Sequence, residues 1–162
     1  MNLKKLLVLV LVMHSDAGIA QNLDTPSIKE TSGYTLANLS IDSQITMFYY
    51  TDITPAVHFY GDILGLEKTL DWSWVVFFQT GSSSFIGLVT EGHDAFHDVQ
   101  PSNAVMLSLV TNDLDLWYER LRQWNEVTFL KSISDSGPIR SFMVEDPGGY
   151  TVEFFQWLTP TE

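Results

Sequence analysis

The stretch Gly137-Pro138-Ile139-Arg140-Ser141-Phe142-Met143-Val144-Glu145-Asp146-Pro147-Gly148-Gly149-Tyr150-Thr151-Val152-Glu153-Phe154-Phe155 reads as two strands joined by an Asp-Pro-Gly-Gly turn. Proline presets φ near −65°, and glycine accepts the positive φ that other residues resist. Beyond the turn, Thr151, Glu153 and Phe155 alternate with Val152 and Phe154, so the two sets face opposite sides of a strand. Glu153 is the one carboxylate in an otherwise apolar strand, and such a group needs a partner or a metal.

Working outward from this hairpin, a β-α-β-β-β order occurs twice. Ile45 to Tyr50 is β-branched and aromatic, as a strand is. Thr54-Pro55 starts a helix, with Thr as N-cap and Pro at the first helical position. Its apolar stripe is Val57, Tyr60, Ile63 and Leu64, and Gly65 ends it. Strand-like runs follow at Glu67 to Trp72, Trp74 to Thr80 and Phe85 to Thr90, the last two joined by the Gly81 to Ser84 turn. After a loop at Glu91 to Asn103 the order returns. Ala104 to Thr111 is a strand. Asn112 or Asp113 caps a helix striped by Leu114, Trp117, Leu121 and Trp124. Val127 to Lys131, Ile139 to Val144 and Tyr150 to Trp157 are strands. Each module lays one amphipathic helix on one face of a small sheet and leaves the other face free to line a cavity.

The first 20 residues read as an export signal. Lys4 and Lys5 are basic, Leu6 to Met13 is apolar, and Gly18 and Ala20 are small, which places cleavage after Ala20. The expected compartment is periplasmic or extracellular, with no membrane anchor, since the apolar run is too short to span a bilayer. Residues 21–40 are a polar linker or arm, and the domain runs over 41–158, with modules at about 41–91 and 103–158. The chain has no cysteine, which excludes disulfides, thiol catalysis and a lipidated cysteine. Its formal charge is −12, and removing the signal, with two lysines against one aspartate, leaves about −13. Nucleic acid is a poor partner for such a chain.

Three segments carry a resemblance. They are Tyr50 to Leu66 (YTDITPAVHFYGDILGL), Asn112 to Leu121 (NDLDLWYERL) and the Arg140 to Glu153 run. Together they resemble the vicinal oxygen chelate superfamily, which includes glyoxalase I, extradiol dioxygenases and bleomycin-resistance proteins. The resemblance implies an α+β fold in which two βαβββ modules form a curved, cup-shaped mixed sheet with outer helices. It also implies pairing of modules within or between chains, here expected as a homodimer.

In metal-dependent members of the superfamily, ligands come from four equivalent positions. They fall here on Ile45, Gly87, Met106 and Glu153. Ile and Gly offer no side-chain ligand, and a thioether suits Mn, Ni, Mg or Fe(II) poorly. A one-residue slip would bring Gln44 in for Ile45, leaving Gln44 and Glu153 as a weak two-ligand site. The expectation is therefore no metal and no other cofactor, with a divalent ion at Glu153 as the alternative.

Two accounts of Glu153 stand. It pairs with Arg140 across the hairpin through a bidentate fork, or one of the two reaches a polar ligand. His93 and His97 form an H-x3-H pair, read as part of a solvated loop with a metal site as the alternative. His58 is expected at the surface, and Ser82 to Ser84 form a turn rather than a nucleophile. The cavity is expected to be lined by Met47, Tyr49, Trp72, Trp74, Phe78, Gly87, Met106, Arg140, Phe142 and Glu153, with Gly87 opening its floor.

The favoured function is metal-independent binding or sequestration of a small, partly aromatic or apolar molecule. The first rival is a glyoxalase-like lyase, isomerase or dioxygenase in which Glu153 is the catalytic residue, holding the metal with Gln44 or acting as general base. The second is a non-catalytic subunit that binds another protein.

Overall fold

The computed structural model describes residues 40–92 and 94–158. The expected signal at 1–20, nearly all of the arm at 21–40, and His93 of the histidine pair lie outside the described residues.

The first module runs β1 (Gln44–Tyr50), α1 (Thr54–His58, continued by a π-helical turn over Phe59–Ile63), β2 (Lys68–Asp71), β3 (Val75–Gln79) and β4 (Ser84–Thr90). The second runs β5 (Met106–Val110), α2 (Leu114–Leu121), β6 (Thr128–Ser136), β7 (Ile139–Glu145) and β8 (Thr151–Trp157). They form two four-stranded mixed sheets, ordered β1-β4-β3-β2 and β5-β8-β7-β6. In each, the first strand runs parallel to the last, which the intervening helix makes topologically possible. The α+β architecture of two βαβββ modules is the one read from the repeat.

Alternation decides which face of each sheet is covered. On β1, Phe48 and Tyr50 are buried while Ile45 and Met47 are exposed. On β8, Val152 and Phe154 are fully buried. One core serves both modules. Phe48 stacks on Tyr150 with ring centroids 3.9 Å apart, Trp117 of α2 lies 5.0 Å from Phe154, and Tyr60 of α1 lies 6.3 Å from Phe78. Each of these rings that is fully buried contributes about 1.5–3 kcal/mol.

The start of α1 differs from expectation. Thr54 is the first helical residue, and the cap comes from Asp52, whose Oδ1 accepts the Thr54 N–H at 2.8 Å. Asp52 wins because its carboxylate, two residues ahead, reaches an orphan amide that a threonine inside the turn cannot. The hydrogen bonds that hold Asp52 keep its carboxyl below the ordinary range. The buried stripe also takes in Ala56 of α1 and Phe59 of the π turn. Gly65 ends the helix at φ 73°, and Arg120 from α2 crosses to donate to the carbonyls of Ile63 (2.9 Å) and Asp62 (3.3 Å). A basic side chain thus satisfies the helix C-terminus from the other module.

The turn after β7 joins the modules more deeply. Asp146 is buried, and its Oδ1 accepts the N–H groups of Gly148 (2.8 Å) and Tyr150 (2.9 Å). Its Oδ2 accepts the hydroxyls of Tyr50 (2.6 Å) and Tyr60 (3.1 Å) from the first module. Burial pushes the Asp146 carboxyl up, and these four donors oppose that rise. Desolvation holds both tyrosine hydroxyls above the ordinary phenol range.

Candidate functional site

Each sheet turns one face away from the core, and the strand registers fix what stands on it. In the first sheet Met47 lies beside Gly87, which lies beside Phe77, and Tyr49 lies beside Val89. The inter-module loop folds against this face. Met47 and Tyr49, with His97, Asn103, Val105 and Tyr150, line a cavity of about 420 Å³, and His97 meets the Tyr49 ring edge-on at 5.3 Å. Glu91 anchors the loop by accepting from Thr51 (2.8 Å) and from the Val99 amide (2.8 Å). These bonds lower its pKa. The segment expected as a solvated loop is therefore partly a wall.

In the second sheet the row across the face is Lys131, Met143, Glu153 and Ser108. Glu153 is buried, and its Oε2 accepts the Ser108 hydroxyl at 2.8 Å. Lys131 donates to Ser141 Oγ at 2.8 Å. Lys131 and Ser141 escaped the sequence reading. The signal for them was the same two-residue period, carried one and two strands outward from Glu153.

Several expected lining residues stand elsewhere. Phe78 and Phe142 are 1% and 0% exposed and point into the core, where Phe142 packs on Tyr118 and Phe154. Arg140 does not meet Glu153. It pairs with Gln156 in register and bridges to Asp115 (3.1 Å) and Asp135 (3.7 Å), so Glu153 opposes Met143 instead. The reason is the turn. Asp146 draws Tyr150 into it, with the Asp146 N–H donating to the Tyr150 carbonyl at 2.9 Å, and the first strand pair becomes Glu145 with Thr151. This shifts the register by three residues and puts Arg140 on the opposite face. Gly87 does not open the floor either, because Sδ of Met47 and the Phe77 ring occupy the place a Cβ would take. Trp72 is 63% exposed just beyond β2, Trp74 is half-buried between β2 and β3, and Met106 is exposed at the start of β5.

Residues 44–154 match the family model of the Glyoxalase/Bleomycin resistance protein/Dioxygenase superfamily. The chain belongs to that superfamily. No curated protein matches it by sequence. Among solved structures, a glyoxalase/bleomycin resistance protein/dioxygenase from Nocardioides is 21% identical, with a TM-score of 0.61, over 76% of this chain and 87% of that one. Lactoylglutathione lyase from Agrobacterium tumefaciens is 22% identical, with a TM-score of 0.54, over 70% and 91%. TioX from Micromonospora sp. ML1 is 17% identical, with a TM-score of 0.58, over 72% and 98%. Likeness at these identities is a likeness of fold.

Of the four positions that the resemblance points to as ligands, Ile45, Gly87, Met106 and Glu153, only Glu153 carries a carboxylate. Glu153 is flanked across the strands by Ser108 and Met143, and Gly87 by Met47 and Phe77. Ile45 and Met106 stand two residues ahead of Met47 and Ser108 on the same strands. Among the described residues no three His, Asp or Glu side chains gather as a metal cluster. A lone carboxylate among hydroxyl, thioether and hydrocarbon groups fits a divalent ion poorly. It fits a hydrogen-bond donor on an organic molecule well.

Proposed function

We propose that this superfamily member binds a small, partly aromatic or apolar molecule on the open faces of its sheets, without a resident metal. The observation that carries the reading is Glu153, buried on the face turned away from the core, where its neighbours are the Ser108 hydroxyl at 2.8 Å and the side chains of Met143 and Phe155 rather than further metal-binding groups. Met143 and Phe155 on the same face, and Met47, Tyr49 and Phe77 on the other sheet's, supply apolar contact. Few polar groups among many apolar ones is how ligand sites are built. Exposed Met47, Met106, Val110 and Trp157 support burial of these faces in a homodimer. The basic-apolar-small order of Met1 to Ala20 supports export, and the acidic charge argues against nucleic acid. No described helix is long and apolar enough to cross a membrane.

The test is elemental analysis of the chain from Gln21 onward after dialysis against Mn, Fe(II), Ni and Zn in turn, followed by thermal-shift screening of small aromatic compounds. The expected result is no stoichiometric metal, and stabilisation by an aromatic compound that Glu153→Gln weakens. Stoichiometric metal lost in Glu153→Ala would overturn this reading. It would favour the second one, a lyase or isomerase with Glu153 catalytic, which the fold likeness to a lactoylglutathione lyase supports.

A further inference from the structure

We propose that a second cavity, at the seam between the modules, binds a small organic cation. It lies away from the Glu153 face, where α1 of the first module meets β6 and the β7–β8 turn of the second. Its volume is about 560 Å³, within the range of sites that enclose a drug-sized molecule. Phe59, Ile63 and Pro147 give it apolar walls, and His58, Glu126 and Glu145 stand around them.

The balance of charge there sets the class of ligand. His58 is the one basic group on the lining, and it is already committed. Its Nδ1 meets Asp62 at 2.7 Å and its Nε2 meets Glu126 at 2.8 Å. Asp146, also on the lining, has both oxygens engaged by the two tyrosines and two backbone amides. Glu145 forms no ion pair among the described residues, and Glu126 shares a single imidazole with Asp62. A ligand entering this cavity meets apolar walls and uncompensated negative charge. An ammonium group on a hydrocarbon or aryl body answers both. An anion would meet repulsion, and a neutral body would gain nothing from Glu126 and Glu145, which stand exposed at the rim.

The probe is benzylamine, with benzyl alcohol as its neutral isostere and benzoate as the anion, titrated into the 15N-labelled chain from Gln21 onward. Benzylamine is expected to shift the amides of Phe59, Ile63 and Thr128 and to bind about tenfold more tightly than benzyl alcohol, a difference of one charge pair. Benzoate is expected to leave those amides unmoved. Glu145→Gln, which breaks no ion pair, is expected to weaken benzylamine severalfold, and Glu126→Gln combined with it about tenfold. Glu119→Gln, an exposed carboxylate on α2 outside the cavity, is expected to leave affinity unchanged. Equal binding of the amine and the alcohol, shifts confined to other amides, or an unchanged affinity in folded Glu145→Gln would overturn the proposal. The Glu153 face is read by different amides, those of Met47, Tyr49 and Glu153, so the two sites stand or fall separately.

Discussion

The hydroxyl of Tyr150 sits against the backbone of Tyr49, accepting its N–H at 3.0 Å and donating to its carbonyl at 3.2 Å. Strand β1 pairs on one side only, with β4, so its other edge exposes backbone groups. One phenol stands where a neighbouring strand would. Tyr150→Phe keeps the stack on Phe48 and removes both bonds. It is expected to destabilise the chain by about 1–3 kcal/mol, read as a lowered urea midpoint at unchanged m-value. An unchanged midpoint would mean water replaces the hydroxyl at no cost.

Asp146 gathers four donors from two modules, so its loss leaves more than one group unpaired. Asp146→Ala is expected to cost about 3 kcal/mol or more, and Tyr60→Phe about 1–2 kcal/mol. The pH dependence has a definite sign. Burial raises the carboxyl in the folded chain, so this group's contribution is fully present below its unfolded pKa near 3.8. It declines as pH rises through the folded value. Asp146→Asn should remove that component from a melting-temperature profile taken over the acid range.

His58 provides a second pH dependence, nearer neutrality. The hydrogen bonds it donates to Asp62 and Glu126 raise its pKa above the ordinary 6.5. Its contribution is therefore complete below pH 6.5 and is lost as pH rises through the folded value. His58→Gln should flatten the melting profile above pH 6.5 and leave the acid limb alone. A profile of unchanged shape would show that the bridge contributes nothing in solution.

The space over Gly87 is filled most closely by Met47, the far end of a flexible side chain, with the Phe77 ring just behind it. Gly87→Ala is expected to cost about 1–3 kcal/mol by overpacking. Met47→Ala should relieve most of that cost in the double variant, an interaction readable in a double-mutant cycle. Strict additivity would place the clash elsewhere.

Much of this was legible in the sequence, for identifiable reasons. The helix stripes and the two-residue period of β1 and β8 place Met47 with Tyr49, and Glu153 with Thr151 and Phe155, because β1 alternates between an exposed and a buried side and β8 alternates in chemistry, with Val152 and Phe154 apolar against Thr151 and Glu153. β3 has no such contrast. Val75, Val76 and Phe78 are all buried, so no alternation could tell that Phe78 faces the core. Arg140 failed for another reason. Its partner depends on the length of a turn, and that length is set by tertiary bonds to Asp146, which no local pattern records. Asp146 itself looks like an ordinary turn residue until Tyr50 and Tyr60 arrive from nearly a hundred residues away.

The sharing of one core between the repeats has a bearing on how this chain lives and dies. Neither copy of the module owns its interior. Separated in the loop after Glu91, the first half would expose Phe48 and leave two tyrosine hydroxyls searching for an acceptor, while the second would bare Tyr150 and strand a carboxylate in a greasy pocket. Duplication here has produced interdependence instead of redundancy. The two halves are expected to unfold in one transition, and fragments split at that loop are expected to regain structure only when mixed.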